Sequence, residues 1–300
     1  MDKIVNKPEF KSAKTRNLIS TILGYATLAV MTVIWVYPIL WIVLSAFRNE
    51  YNDLGQLRGI VVSHYFPKQL GFENFRLLFE TTLFGRWFTN TLLVATVTFL
   101  ISTFMVLSVA YVMSKLKFKS RKLILNVSLI LGLFPGFMSI IAVYYILKFM
   151  GLTQSLLALM LVYSAGSGLG FYVAKGFFDL IPNTLLESAR LDGATNFQAF
   201  RKIILPLSKP IIIYTALLSF SGPWMDFIFA RVIIGETNPE LWTVAVGLYM
   251  MLFGSQATAD PNRFTIFAAG SVLVAIPIVL VFVTMQRYYV EGVTAGSVKG

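Results

Sequence analysis

The chain has 300 residues, 57% of them hydrophobic and only 13% charged, at a mean hydropathy of +0.74. A soluble domain carries about 25% charged residues, so this composition excludes a water-soluble globular protein. The absence of cysteine excludes a disulfide framework and a thiolate metal site.

Five basic residues, Lys3, Lys7, Lys11, Lys14 and Arg16, precede an apolar run of 27 residues from Thr21 to Phe47. The apolar core of a signal peptide is about 7–15 residues. The run is therefore read as a retained first span behind a basic arm at 1–20. A helix needs about 20 mostly apolar residues to cross a bilayer. Six stretches qualify, at about 21–47, 87–113, 122–148, 155–178, 209–233 and 264–286. Gly, Ser and Pro interrupt the fourth and fifth, which helices buried among other helices tolerate.

Placing the N-terminus inside puts 17 Lys and Arg on the cytoplasmic side against 8 elsewhere, with acidic residues split 6 and 8. Nearly all of the net charge of +11 then sits inside, so the positive-inside rule accounts for it without nucleic-acid binding. The expectation is an all-α integral membrane protein with six transmembrane helices. Both termini are expected to be cytoplasmic, with a transmembrane domain over 21–286 and a tail over 287–300.

The longest outer loop, Arg48 to Arg86, holds a helix-like stretch at Phe72–Phe79. His64, the single histidine, lies there and is read as incidental, for want of partners for metal or proton relay. The basic loop Lys115, Lys117, Lys119, Arg121 and Lys122 is read as topological, with an ATPase or anionic-lipid contact as the alternative. Pro135-Gly136 and Pro277 mark expected bends. Gly166-Ser167-Gly168-Leu169-Gly170 looks nucleotide-binding but lies inside the fourth span with no strand before it, so it is read as close helix packing. In the fifth span Asp226 follows Pro223. An ionisable residue at membrane depth either lines a pathway or pairs locally, here with a backbone group or Arg231. Between the fifth and sixth spans a second outer segment, about Ile234 to Arg263, includes the turn formers Gly254 to Asn262 and reads as an exposed loop.

The segment between spans four and five carries its own helix punctuation. Thr184 and Glu187 have capping-box spacing, as do Thr195 and Gln198. Gly193 supplies a left-handed helix stop, Pro206 ends the second helix, and Ser208-Lys209-Pro210 opens the fifth span. The expected product is a short helix, a turn and a second short helix along the membrane surface, with small residues Ser188, Ala189 and Ala194 permitting close approach by a partner.

Glu187-Ser188-Ala189-Arg190-Leu191-Asp192-Gly193-Ala194, followed after eight residues by Ile203-Ile204-Leu205-Pro206, closely resembles the EAA loop of binding-protein-dependent ABC importer permeases. The tail Gly292–Gly300 and the stretches Pro223–Asp226 and Trp242–Leu248 are similar to the smaller permease subunit of maltose-type transporters. Ser188 departs from the pattern, where alanine is usual. The resemblance implies a type I importer fold in a prokaryotic cytoplasmic membrane. It implies assembly with a second permease subunit, two ATP-binding subunits and an extracellular or periplasmic sugar-binding protein, with an oligosaccharide as cargo and surrounding lipid.

It also implies roles for individual residues. Glu187, Ser188, Ala189, Asp192, Gly193, Ala194, Leu205 and Pro206 would form the coupling element. Thr294, Gly296 and Lys299 would reach the ATPases. Gly254, Ser255, Asp260 and Asn262 would meet the binding protein. Trp224 and Asp226 are candidates for the sugar pathway, with packing as the alternative for Trp224. The chain has no G-x-x-x-x-G-K-[ST] loop, so ATP and magnesium belong to partners, and no cofactor or metal is expected on this chain. Two other classes compete. An ion-coupled secondary transporter would need coupling-ion sites, and a membrane-embedded hydrolase would need H-E-x-x-H or paired intramembrane aspartates. Within importers, raffinose-, galactoside- and trehalose-type substrates stand beside maltodextrin.

Overall fold

The computed structural model describes residues 9–51, 64–133, 136–165, 170–254 and 263–295. Among these residues the chain is helical, with a single isolated antiparallel bridge between Arg48 and Leu70. The helices are α1 (Glu9–Ala46), α2 (Glu73–Thr81), α3 (Phe84–Lys115), α4 (Arg121–Gly132), α5 (Gly136–Phe149), α6 (Leu156–Ala165) and α7 (Gly170–Asp179). They continue as α8 (Asn183–Leu191), α9 (Asn196–Ala199), α10 (Leu205–Leu207), α11 (Lys209–Met225), α12 (Ile228–Ile234), α13 (Val244–Phe253) and α14 (Arg263–Ala295).

Four stretches are long and apolar enough to cross a membrane: Asn17–Ala46, Phe84–Lys115, Leu156–Asp179 across the undescribed 166–169, and Arg263–Gln286. A fifth is added if Asn196–Leu207 and Lys209–Met225, bent by 88°, are counted as one span. The expected third span lies as two helices, α4 and α5, with Pro135 outside the described residues. Pro277 lies inside α14 without ending it.

The expected span 209–233 is broken. Pro223 has no N–H to donate to the Ser219 carbonyl, and two residues later α11 ends with Asp226 in extended backbone before α12 begins at Ile228. At the other end of α11, Pro206 lacks the N–H that would meet the Lys202 carbonyl. There the chain runs through a π-helical turn, Phe200–Ile204, and on to Leu207. The second short helix thus ends one residue past Pro206, and Ser208, fully buried, makes the corner with no side-chain cap.

The described residues fall into two compact units, one drawn from 1–75 with 261–272 and the other from 76–260 with 273–300. The second is organised on α3, which packs against α6, α7, α11 and α13. Its buried positions Trp87, Thr91, Val94, Thr98, Ser102, Val106 and Ala110 recur every three or four residues, which places them on one face. Threonine, serine and alanine in that stripe let neighbouring helix backbones approach closely.

The segment after α12 is anchored to the start of α3 rather than left exposed. Asn90 donates to the carbonyls of Glu240 (2.7 Å) and Trp242 (3.0 Å), Trp87 Nε1 to Pro239 (2.9 Å), and the Val244 N–H to Thr91 Oγ1 (2.8 Å). α13 then lies buried, with Gly247 so close to the Trp87 ring that a Cβ there would overlap it at 2.2 Å. At the opposite end of α3, Leu107, Tyr111, Phe171, Phe178, Leu186, Phe200 and Ile204 form one apolar core.

In the first unit the buried Arg48 and Glu50 form a cluster with the half-buried His64, contrary to the expectation that His64 lacks partners. Glu50 accepts from Arg48 (3.2 Å), from His64 Nε2 (3.0 Å) and from the Lys68 N–H (2.6 Å). Arg48 also donates to the His64 and Tyr65 carbonyls. Burial alone would raise the Glu50 carboxyl, but the His64 and Lys68 hydrogen bonds and the Arg48 charge outweigh it and hold it below its ordinary value. The helix-like stretch of this loop is α2.

Candidate functional site

The punctuated segment folds as a helix, a turn and a second helix, with one change at its start. α8 begins behind Pro182, not at a Thr184 cap, and no side chain caps it. Asn183 instead accepts a hydrogen bond from Lys115 Nζ (3.2 Å), whose amine also donates to the Ile181 carbonyl at 2.6 Å. The entry to α8 is therefore held by the last residue of α3. Beside it Ser114 donates to Asp179 (2.6 Å), which also pairs with Lys175 (2.6 Å).

The far end of α8 closes as expected. Gly193 stands at φ +81°, a conformation that costs any residue with a Cβ. Its N–H donates to the Arg190 carbonyl (3.0 Å), and the Ala194 N–H to the Ala189 carbonyl (2.9 Å), which is the paired closure of a Schellman turn. The Thr195 capping box is complete. Its hydroxyl accepts from the Gln198 N–H (3.2 Å), and its own N–H donates to Gln198 Oε1 (2.8 Å). Arg190 bridges the turn to Asn196 at 3.3 Å.

What this segment buries and what it exposes differ sharply. Leu186, Ala199, Phe200 and Ile204 sink into the core beneath it, and Tyr111 adds a ring contact with Phe200 (4.8 Å) and a hydrogen bond to the Asn196 carbonyl (3.0 Å). Glu187, Ser188, Asp192, Gly193 and Pro206 are exposed, and Ala189, Ala194 and Leu205 are half-buried. Leu191 and Phe197 are 89% and 63% exposed. Two cavities flank the segment. One of about 510 Å³ is bordered by Lys115, Lys117, Asn183, Glu187 and Arg190, the other of about 380 Å³ by Asp192, Gly193, Gln198 and Lys202.

A second polar site lies between α3, α6, α11 and α12. Asp226 accepts from the Tyr163 hydroxyl and from the N–H groups of Phe229 and Ala230, both at 3.2 Å. It thereby caps α12. Arg231, its other expected partner, pairs with Glu236 at 3.0 Å. Tyr163, Phe229, Thr98, Ser102 and Ser219 line a cavity of about 420 Å³. Ser219 donates to Ser102 (3.2 Å), and the buried Thr98 hydroxyl has no hydrogen-bond partner among the described residues. Trp224 is 3% exposed, edge-on to Phe88 at 5.1 Å.

Of the remaining expected site residues, Gly254 ends α13 with its N–H on the Met250 carbonyl at 2.9 Å. Ser255, Asp260, Asn262, Gly296 and Lys299 lie outside the described residues, as does most of the glycine run 166–170. Thr294 falls near the end of α14. Sequence reasoning missed Tyr163 and Lys115 as site residues. Lys115 carried a signal, since it closes an apolar span beside the punctuated loop; Tyr163 carried none.

A family model for the inner membrane component of binding-protein-dependent transport systems matches residues 107–294, which include the whole punctuated segment. The chain belongs to that family.

This inner membrane component is 35% identical to the galactooligosaccharides transport system permease protein GanQ of Bacillus subtilis, over 96% of this chain and 98% of the relative. It is 32% identical to the maltodextrin transport system permease protein MalD of Streptococcus pneumoniae, over 96% and 99%. Its fold resembles a chain of a bacterial ABC transporter involved in import of the acidic polysaccharide alginate, with a TM-score of 0.78 at 18% identity, covering 96% of this chain and 100% of that one. The resemblance to maltodextrin permeases read from the sequence therefore holds at the level of the family.

Proposed function

We propose that this permease component moves an oligosaccharide across the cytoplasmic membrane of a prokaryote, driven by ATP hydrolysed on partner subunits. The observation that carries the reading is the segment 183–208. It is fixed from below by Lys115 and a shared apolar core, while Glu187, Asp192, Leu191 and Phe197 face outward. In this reading six spans cross the membrane with both termini inside, the third from α4 with α5 and the fifth bent at Ser208 and Asp226. α8 is the coupling helix, seated in a cleft of an ATP-binding subunit that holds ATP and magnesium. A second permease subunit completes the pore.

ATP-driven approach of the two ATPases would pull α8, and the Lys115 tether would pass that motion to α3, a two-state element biased by a ligand bound elsewhere. The cavity beside Tyr163 is the favoured stretch of pathway, because the hydroxyls of Tyr163, Thr98, Ser102 and Ser219 that line it can exchange hydrogen bonds with sugar hydroxyls, with Asp226 holding Tyr163 in place. Trp224, packed against Phe88 and Phe220, is the second residue assigned to the pathway. Thr294, Gly296 and Lys299 are assigned to the ATPase interface, and the loop Gly254, Ser255, Asp260 and Asn262 to the external binding protein. The names of the relatives support an oligosaccharide of the galactooligosaccharide or maltodextrin kind.

The test is ATPase activity of the reconstituted complex, with its binding protein, across a panel of oligosaccharides. Stimulation by one class is expected, and no stimulation by any of them removes the sugar assignment.

A further inference from the structure

The basic loop that follows α3 has a use beyond topology. Between Glu80 and Asp179 the sequence contains no acidic residue, and five basic residues fall within 115–122. Lys115 is buried with its amine committed to the Ile181 carbonyl and Asn183. Lys117, Lys119 and Lys122 are exposed. Lys117 borders the cavity of about 510 Å³, where Lys115, Lys117 and Arg190 face the single carboxylate of Glu187. Immediately after this cluster α4 begins, and it buries no residue. Leu123, Val127, Ile130 and Leu131 are 66%, 44%, 58% and 64% exposed. A row of cations at the very start of a helix with an exposed apolar flank is the arrangement that meets a negatively charged headgroup with its acyl chains alongside.

We propose that Lys117, Lys119 and Lys122, with the cavity beside α8, hold the phosphate headgroup of an anionic phospholipid of the cytoplasmic leaflet. The charge of the loop selects an anion, and the apolar flank of α4 selects a lipid over free phosphate. The consequence is regulatory. The loop leaves α3 at Lys115, the residue that positions the entry to α8, so a headgroup drawn to Lys117 bears on the coupling helix. The proposal rests on the cytoplasmic placement of α8 and on its coupling role.

The complex is reconstituted in nanodiscs of phosphatidylcholine alone and of equal parts phosphatidylcholine and phosphatidylglycerol. Sugar-stimulated ATPase activity is expected to be several-fold higher with phosphatidylglycerol, and the ratio to weaken as salt screens the contact. The triple variant Lys117→Gln, Lys119→Gln, Lys122→Gln should match wild type in phosphatidylcholine and lose that ratio. The triple arginine variant should keep it. Inorganic phosphate added to phosphatidylcholine discs should not reproduce it. A glutamine variant with the wild-type ratio, or rescue by free phosphate, overturns the proposal and leaves the transport reading standing. If no sugar stimulates the complex, that reading fails. Phosphatidylglycerol retained on the purified complex, read by native mass spectrometry, then decides the site, and equal retention by wild type and glutamine variant overturns it.

Discussion

The coupling segment and the Tyr163–Asp226 site use polar residues in opposite ways. At the turn after α8 hydrogen bonds run between near neighbours, as in Gly193 to Arg190 and Thr195 to Gln198, and Glu187 and Asp192 are left to face outward. Lys115 reaches in from α3 to hold the entry. At Asp226 the carboxylate turns inward, joining α6 to α12 through Tyr163 and two backbone N–H groups. The first region leaves charged and apolar side chains exposed, as the proposed coupling role requires, and the second holds two helices of its own chain beside a cavity. Under the proposed function, motion delivered at the first moves cargo only while the second stays intact, and mutations at each test the two roles separately.

The largest effect is expected at α8. Gly193→Pro removes the N–H bonded to Arg190 and forbids the φ of +81°. Glu187→Lys reverses an exposed charge on the proposed contact face. Both should reach the membrane in normal amount and abolish transport; normal sugar uptake in either removes the coupling role. Asp226→Ala comes next. It strips a charged acceptor from three donors, each such bond contributing about 1.5–3 kcal/mol, so the thermal midpoint of the purified protein should fall along with uptake. Asp226→Asn should recover part of the stability. An unchanged midpoint would show that the cavity wall does not depend on this residue.

The smallest effect concerns the Arg48, Glu50 and His64 cluster, a control lying in neither region. Glu50 is held below its ordinary value of 4.5, so its contribution to stability is complete above about pH 4.5 and is lost as pH falls through the lowered folded value. Glu50→Gln should flatten that acid loss in a thermal-melt series while leaving transport near neutral pH largely intact. A variant melting curve with the same acid dependence as wild type would assign the loss to other groups.

The segment 183–208 was legible because its instructions are local. A glycine that must turn left-handed, a threonine three residues before a glutamine, and a pattern of small and charged residues all act within one helical turn or two. The same local reading misplaced the start of α8, since Asn183 answers to Lys115, 68 residues away. It also drew a continuous span through Asp226 and dismissed His64.

By itself, the sequence determined that this is a helical membrane protein, where its long apolar stretches lie and which segment carries its own helix punctuation. Those properties follow from composition, periodicity and backbone preferences of neighbouring residues. Only the tertiary structure decided that Tyr163 meets Asp226, that Lys115 anchors α8, that Glu50 binds His64 and that α13 is buried against Trp87. Each of these joins residues from separate elements. Such pairings are fixed by which helix faces come together, and that is a property of the packed chain rather than of any window along it.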